Sequence, residues 1–295
     1  MTSTQPSQST HDDADASAVA DGRRLGRPRL PKRFAERLAV AIPGIAVVVA
    51  SVIIGGALFA LVAGIIAVLA LYELYGLTAA HRPLRWAGFL GAILTIGLAW
   101  FDDRHLVGLL QGFALGLAMI AIAGIMLRRR DGVTSRMAIT LMGLAYIGLP
   151  LGVLVLAREL PHGGGVVAVI LVGTWAFDTA AYVGGSLWGR TPIAPRTSPN
   201  KTIEGTAFGA VIGILAVWVA GLYQDWITGY ESLLLGAAIC AGAYVGDLFE
   251  SMLKRDAGAK DSGGLLLAHG GVLDRFDALL FSAVSGYLVT IALVI

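Results

Sequence analysis

The stretch Ile42–Leu77, IPGIAVVVASVIIGGALFALVAGIIAVLALYELYGL, carries a single charged side chain, Glu73. A run this long and this apolar has no face to turn to water, and uncharged stretches of about 18 or more residues read as membrane-spanning helices. It divides into two spans, roughly Leu38–Ile54 and Ala57–Leu77, with Gly55-Gly56 as the natural break. The same reading continues at Trp86–Phe101, Leu106–Leu127, Met137–Leu156, Val166–Leu187, Ala207–Tyr223, Leu233–Met252 and Leu279–Ile295. The expected fold is therefore an all-α polytopic membrane protein of about nine transmembrane helices. Composition agrees, with 56% hydrophobic and 14% charged residues and a mean hydropathy of +0.75, against about 25% charged in soluble domains. The 39 glycines suit helices that approach closely in lipid. The one cysteine, Cys240, lies in an apolar run and reads as core filler.

The chain ahead of the first span differs. Residues 1–37 begin with a Ser/Thr/Gln/Asp/Ala-rich segment of disordered composition and end in a basic stretch, Arg23 to Arg37. A secretory signal would set a short apolar core nearer Met1. The basic stretch abuts a span, so it reads as a headgroup-binding and topology-setting element rather than a nucleic-acid patch. Three regions follow: a cytoplasmic tail at 1–37, N-terminal membrane helices at 38–160, and a C-terminal membrane region with long polar loops at 161–295. With the N-terminus placed inside and the loops assigned alternately, 20 of the 22 lysines and arginines fall on the inner side and only Arg104 and Arg158 on the outer. That asymmetry puts the C-terminus outside and both long polar loops in the cytoplasm of a multi-pass inner-membrane protein.

Ionisable groups inside spans are costly and mark function. Glu73, Asp178, Asp247 and Glu250 are four. Snorkelling or an interhelical hydrogen bond explains Glu73 equally well. Asp247, Glu250, Ser251 and Lys254 follow i, i+3, i+4 and i+7, which on a helix forms one stripe facing a wet cleft. Asp178 and Tyr182 are also i and i+4. Thr197-Ser198-Pro-Asn200-Lys201-Thr202-Ile-Glu204-Gly205 precedes a span and offers hydroxyls, an amide, a cation and helix-start N–H groups, all suited to phosphate. The segment after span eight is denser: Ser251 to Arg255, Lys260-Asp261-Ser-Gly-Gly, then His269-Gly270-Gly271-Val-Leu-Asp274-Arg275-Phe-Asp277. Its cations can neutralise phosphates, its carboxylates suit Mg²⁺, and its glycines let backbone amides approach a ligand. Zinc is disfavoured, for the segment has no cysteine and one histidine.

Ser251–Asp277 resembles the signature of phosphatidate cytidylyltransferases, also called CDP-diacylglycerol synthases: S-x-[apolar]-K-R-x4-K-D-x-G-x2-L, then H-G-G-x2-D-R-x-D. The Asp178-Thr-Ala-Ala-Tyr182 segment, Ser198 to Gly205 and Gly246 to Ser251 look like that family too. The resemblance runs from about Trp175 to the C-terminus; upstream it is confined to hydropathy and Glu73. Leu267-Ala268 stand where the family has Pro-Gly.

The resemblance implies attack of a phosphatidic acid phosphate on the α-phosphorus of CTP, giving CDP-diacylglycerol and pyrophosphate, with no covalent enzyme intermediate. It implies Asp247, Asp274 and Asp277 as ligands of Mg²⁺, with a second cation as a further expectation. Lys254, Arg255, Lys260, Asp261, His269 and Arg275 are the implied catalytic set. Asp178, Tyr182, Ser198, Asn200, Lys201, Thr202, Glu204, Glu250, Ser251, Gly270 and Gly271 are implied for substrate, and a homodimer for the assembly. Two rivals stand beside it. A CTP-dependent polyprenol or phytol kinase would transfer the γ-phosphoryl group instead. An ion or proton transporter accounts for the intramembrane acids but not for the basic, glycine-rich loop. The D-G-x2-A-R pattern of CDP-alcohol phosphotransferases does not occur.

Overall fold

The computed structural model describes residues 32–102, 106–128, 131–195, 197–263 and 270–293, with side chains from position 43 onward. Its helices are α1 (Lys32–Ile54), α2 (Gly56–Leu77), α3 (Arg85–Phe101), α4 (Leu106–Ile125), α5 (Val133–Gly143), α6 (Leu149–Glu159), α7 (Gly163–Trp188), α8 (Ile203–Gly221), α9 (Gly229–Asp256) and α10 (Leu273–Leu293). Among the described residues, seven segments are long and apolar enough to cross a membrane. Pro43–Ile54 and Arg85–Phe101 are shorter apolar helices at two further expected places. The architecture is an all-α polytopic membrane protein.

One span is made of two helices. α5 and α6 run on through a π-helical turn at Leu144–Gly148, so that Val133–Glu159 forms one membrane-length segment. Pro150 lies at the start of α6. Its missing N–H cannot close the bond to the carbonyl four residues back, and a wider turn relieves the clash of its ring.

The helices are apolar on most sides, as lipid demands. Leu61, Ile65, Ile93 and Leu110 stand exposed on the outside, while Leu71, Leu74, Ile96, Leu144, Ile147, Leu151 and Ile170 fill the interior. A polar tie fixes the N-terminal helices: Tyr75 Oη donates to the Thr140 carbonyl at 3.0 Å, and Thr140 Oγ1 accepts from Leu84 N at 2.8 Å.

Hydrogen bonds also join the turns that alternation places on one side. Arg136 Nε donates to Arg82 O at 2.8 Å, and Arg255 Nε to Thr197 O at 3.2 Å. At the opposite end, Arg158 Nε donates to Val52 O at 2.9 Å, and His162 Nδ1 lies 3.8 Å from Asp225 Oδ1. Each of these contacts joins segments that the alternation places on one side. A small departure from all-helical structure is an antiparallel hairpin, β1 (Pro192–Ala194) and β2 (Ser198–Thr202), between α7 and α8. Sequence had read this segment as a loop leading into a helix.

Candidate active site

The site is assembled where α9 meets α10. Gly242 and Gly246 on α9 lie so close to α10 that a Cβ on either would overlap backbone atoms of Phe281 or Asp277. This contact brings the polar stripe of α9 against the first turns of α10. The stripe is helical as expected, since α9 continues to Asp256. Lys254 Nζ meets Glu250 Oε2 at 2.5 Å and Asp274 Oδ1 at 2.7 Å. Glu250 is 1% exposed; a carboxylate that deep requires a partner, and Lys254 supplies it.

Asp274 is held by donors from several parts of the chain. Besides Lys254, its carboxylate accepts from Ser262 N at 3.0 Å and from Gly271 N at 2.8 Å. Asp277 is buried one turn further along α10. Asp178 on α7 lies within electrostatic reach of Asp277, Asp247 and Lys201. Lys201, from β2, meets Asp247 Oδ1 at 2.5 Å. Together with the Arg255–Thr197 bond, that pair fastens the hairpin to the end of α9.

The base of the hairpin is closed by Glu204. Its carboxylate accepts from Arg190 N at 3.0 Å, Thr191 N at 3.1 Å and Thr191 Oγ1 at 2.8 Å. These bonds engage both oxygens within the chain, so Glu204 shapes the loop in this structure. Thr202 caps α8 by accepting from Gly205 N at 3.2 Å. Ser198 and Ser251 are half-buried, while Asn200, Lys260, Asp261 and Arg275 lie on the exposed rim. Gly270 adopts φ +80 and Gly271 is buried. His269 and Leu267-Ala268 lie outside the described residues. Tyr182 is 78% exposed, and the structure does not bring it into the cluster. The face of α7 against α8 is carried by Ala181 and Gly185, which meet Gly205 and Gly209, and this turns Tyr182 outward.

Two neighbours of the site escaped sequence reasoning. Ser262 is buried beside Asp274 and Glu73. Tyr146, on the π turn, packs its ring on Phe249 at 4.8 Å and Phe281 at 6.0 Å. Its hydroxyl has no hydrogen-bond partner among the described residues and feels the charges of Asp277, Glu250, Asp247 and Asp274. The one sequence signal was Pro150, because π turns in helices recur at functional sites.

Among the described residues, no three His, Cys, Asp or Glu side chains are gathered tightly enough to cage a metal by themselves. The donor chemistry nevertheless fits Mg²⁺, which commonly takes one or two carboxylates and completes its shell with water and substrate phosphates. Asp178, Asp247 and Asp277 offer such oxygens within mutual electrostatic reach.

Cations and carboxylates interleave at one end of a bundle of membrane-length apolar helices, which makes this an integral-membrane protein with a charged site at a helix junction. Residues 35–293 match the model of the cytidylyltransferase family, and the chain belongs to that family. It is 29% identical over 238 residues to the phosphatidate cytidylyltransferase of Staphylococcus saprophyticus, covering 77% of this chain and 87% of that protein. The Staphylococcus epidermidis protein of the same name is 32% identical over 235 residues, with the same coverage. The Helicobacter pylori one is 46% identical over 121 residues, 40% of this chain and 45% of that protein.

Proposed function

We propose that this protein transfers the cytidylyl group of CTP to phosphatidic acid, giving CDP-diacylglycerol and pyrophosphate for phospholipid biosynthesis. The observation that carries the reading is the α9–α10 cluster of Lys254, Glu250, Asp274 and Asp277, joined by Lys201 and Asp247, at one end of a membrane bundle of this family. A phosphate oxygen of the lipid attacks the α-phosphorus of CTP. The bond from that phosphorus to the oxygen bridging to the β-phosphate breaks, and pyrophosphate leaves with the electron pair. The lipid phosphate already carries nucleophilic oxygens at neutral pH. The protein's work is therefore positioning and charge neutralisation.

Lys201 and Lys254 are held by carboxylates in the structure. Both are poised to exchange those partners for substrate phosphates, with Arg255, Lys260 and Arg275 screening charge at the rim. Asp247 and Asp277 would hold Mg²⁺, and Asp274 would join them as Lys254 turns to phosphate; a second cation is part of the same proposal. Bound Mg²⁺ would supply neutralisation of charge on the triphosphate. Ser198, Asn200 and Thr202 are assigned to the nucleotide side by resemblance. The distribution of lysine and arginine supports placing the site on the cytoplasmic face of the inner membrane, where CTP is available. Family resemblance supports a homodimer.

The reaction is tested by incubating the purified protein with phosphatidic acid, Mg²⁺ and CTP labelled at the α-phosphorus. Label is expected in the lipid product. Lipid labelled only from γ-labelled CTP would instead establish a kinase, and ion flux in liposomes without CTP a transporter.

A further inference from the structure

Glu73 sits near the end of α2, in the N-terminal half, and is 3% exposed. Its Oε2 accepts from Ser262 Oγ at 3.2 Å and from Leu273 N at 2.9 Å. These donors are 189 and 200 residues away in sequence; Ser262 lies in the connection that follows α9, and Leu273 opens α10. Among the described residues neither partner of Glu73 is charged. A carboxylate buried with two neutral donors is a costly group to keep for packing alone.

The chemistry of the α10 N-terminus explains what it does. Leu273 is the first residue of α10, so its N–H is one of the orphan donors at a helix start. The preceding residue, Val272, has no side-chain acceptor to cap it. Glu73 supplies the missing oxygen from another helix, and the helix dipole favours a negative group there. The fit is close. A Cβ at Gly263 or Gly271 would overlap the Glu73 side chain, so both glycines are required by its approach. Ser262, held by one side of this contact, gives its backbone N–H to Asp274. Gly271, which needs the space beside Glu73, gives its own to the same carboxylate.

We infer that Glu73 is a positioning residue for the proposed cytidylyl transfer, tying Ser262 in the connection after α9 to the first residue of α10 so that Asp274 meets Lys254. The inference rests on the proposed reaction for its kinetic arm and on hydrogen exchange alone for its structural arm. Glu73→Ala and Glu73→Gln are purified in detergent. Each is assayed for kcat and for KM of CTP, for thermal stability, and for amide hydrogen exchange at Ser262 and Leu273. In Glu73→Ala, exchange at Leu273 is expected to rise about tenfold, the scale of one lost hydrogen bond to a carboxylate. kcat should fall about a hundredfold, as misplacement by about an ångström does, while KM changes far less. Glu73→Gln keeps an accepting oxygen, so it should restore most of the protection and part of the turnover.

Unchanged exchange at Leu273 in Glu73→Ala overturns the inference. So does a uniform rise across α2 and α10, which would mean general loosening, and so does a local rise with wild-type kcat. Should the wild-type protein make no CDP-diacylglycerol, the reaction is wrong, and the exchange pattern still decides whether Glu73 ties Ser262 to Leu273.

Discussion

Two regions of this bundle bury their side chains by opposite means. In the Val133–Glu159 span most side chains are buried, and Leu144, Ile147, Leu151 and Leu156 fill the space by shape. At the junction of α9 and α10 the buried groups include Glu250 and Asp277, and Lys254 pairs with Glu250 and with Asp274 beside them. The first region gains from dispersion contacts, each small and interchangeable. The second is stable only as a complete set, because a buried charge without its partner is expensive. Damage to the first should therefore appear in stability alone, and damage to the second in turnover, with a loss of stability wherever a buried charge is left unpaired.

The sharpest break of this contrast is Asp274→Asn. It removes one charge and changes little volume. Turnover is expected to fall by about a hundredfold or more, on the order of losing one preorganised electrostatic group, while the protein still inserts and purifies. CDP-diacylglycerol formation across a Mg²⁺ titration checks it, and wild-type rates would remove Asp274 from the catalytic core. Lys254→Met comes next. It strands Glu250 and Asp274, and breaking a buried pair costs about 3–5 kcal/mol, so both stability and turnover should drop. Adding Glu250→Gln should recover melting temperature but not turnover. Recovery of both would make Lys254 a structural partner only. The smallest effect on chemistry is expected from Ile147→Ala in the apolar span. It should cost about 2 kcal/mol or more of stability through the cavity it leaves, with kcat per folded molecule unchanged. A kcat loss there beyond the folded fraction would show that the π turn beside Tyr146 serves the site.

Much of the fold was legible because lipid imposes a simple rule. A spanning segment must be apolar and must satisfy its own backbone, so hydropathy found the helical segments. The stripe from Asp247 to Lys254 was legible for a related reason: i, i+4 spacing fixes a shared helix face before any partner is known, and Glu250 and Lys254 do meet. The π turn was hidden because it answers a single proline. The hairpin was hidden because its strands are three and five residues long, too short to show a period. Tyr182 shared the spacing of Asp178 but was turned out by glycine packing between α7 and α8. Glu204 had the right chemistry for a ligand site and spends it on the backbone of Arg190 and Thr191.

By itself the sequence determined the membrane class, the places of the apolar helices and the residue types of the site, because each follows from local composition or from fixed helical spacing. Tertiary structure alone decided which charges meet: Lys201 with Asp247, Lys254 with Asp274, and Glu73 with a loop about 190 residues away. Those pairings depend on close approaches, of α9 to α10 at Gly246 and of Glu73 to the chain ahead of α10 at Gly271, and such approaches are set by the packing of the whole bundle rather than by any one segment.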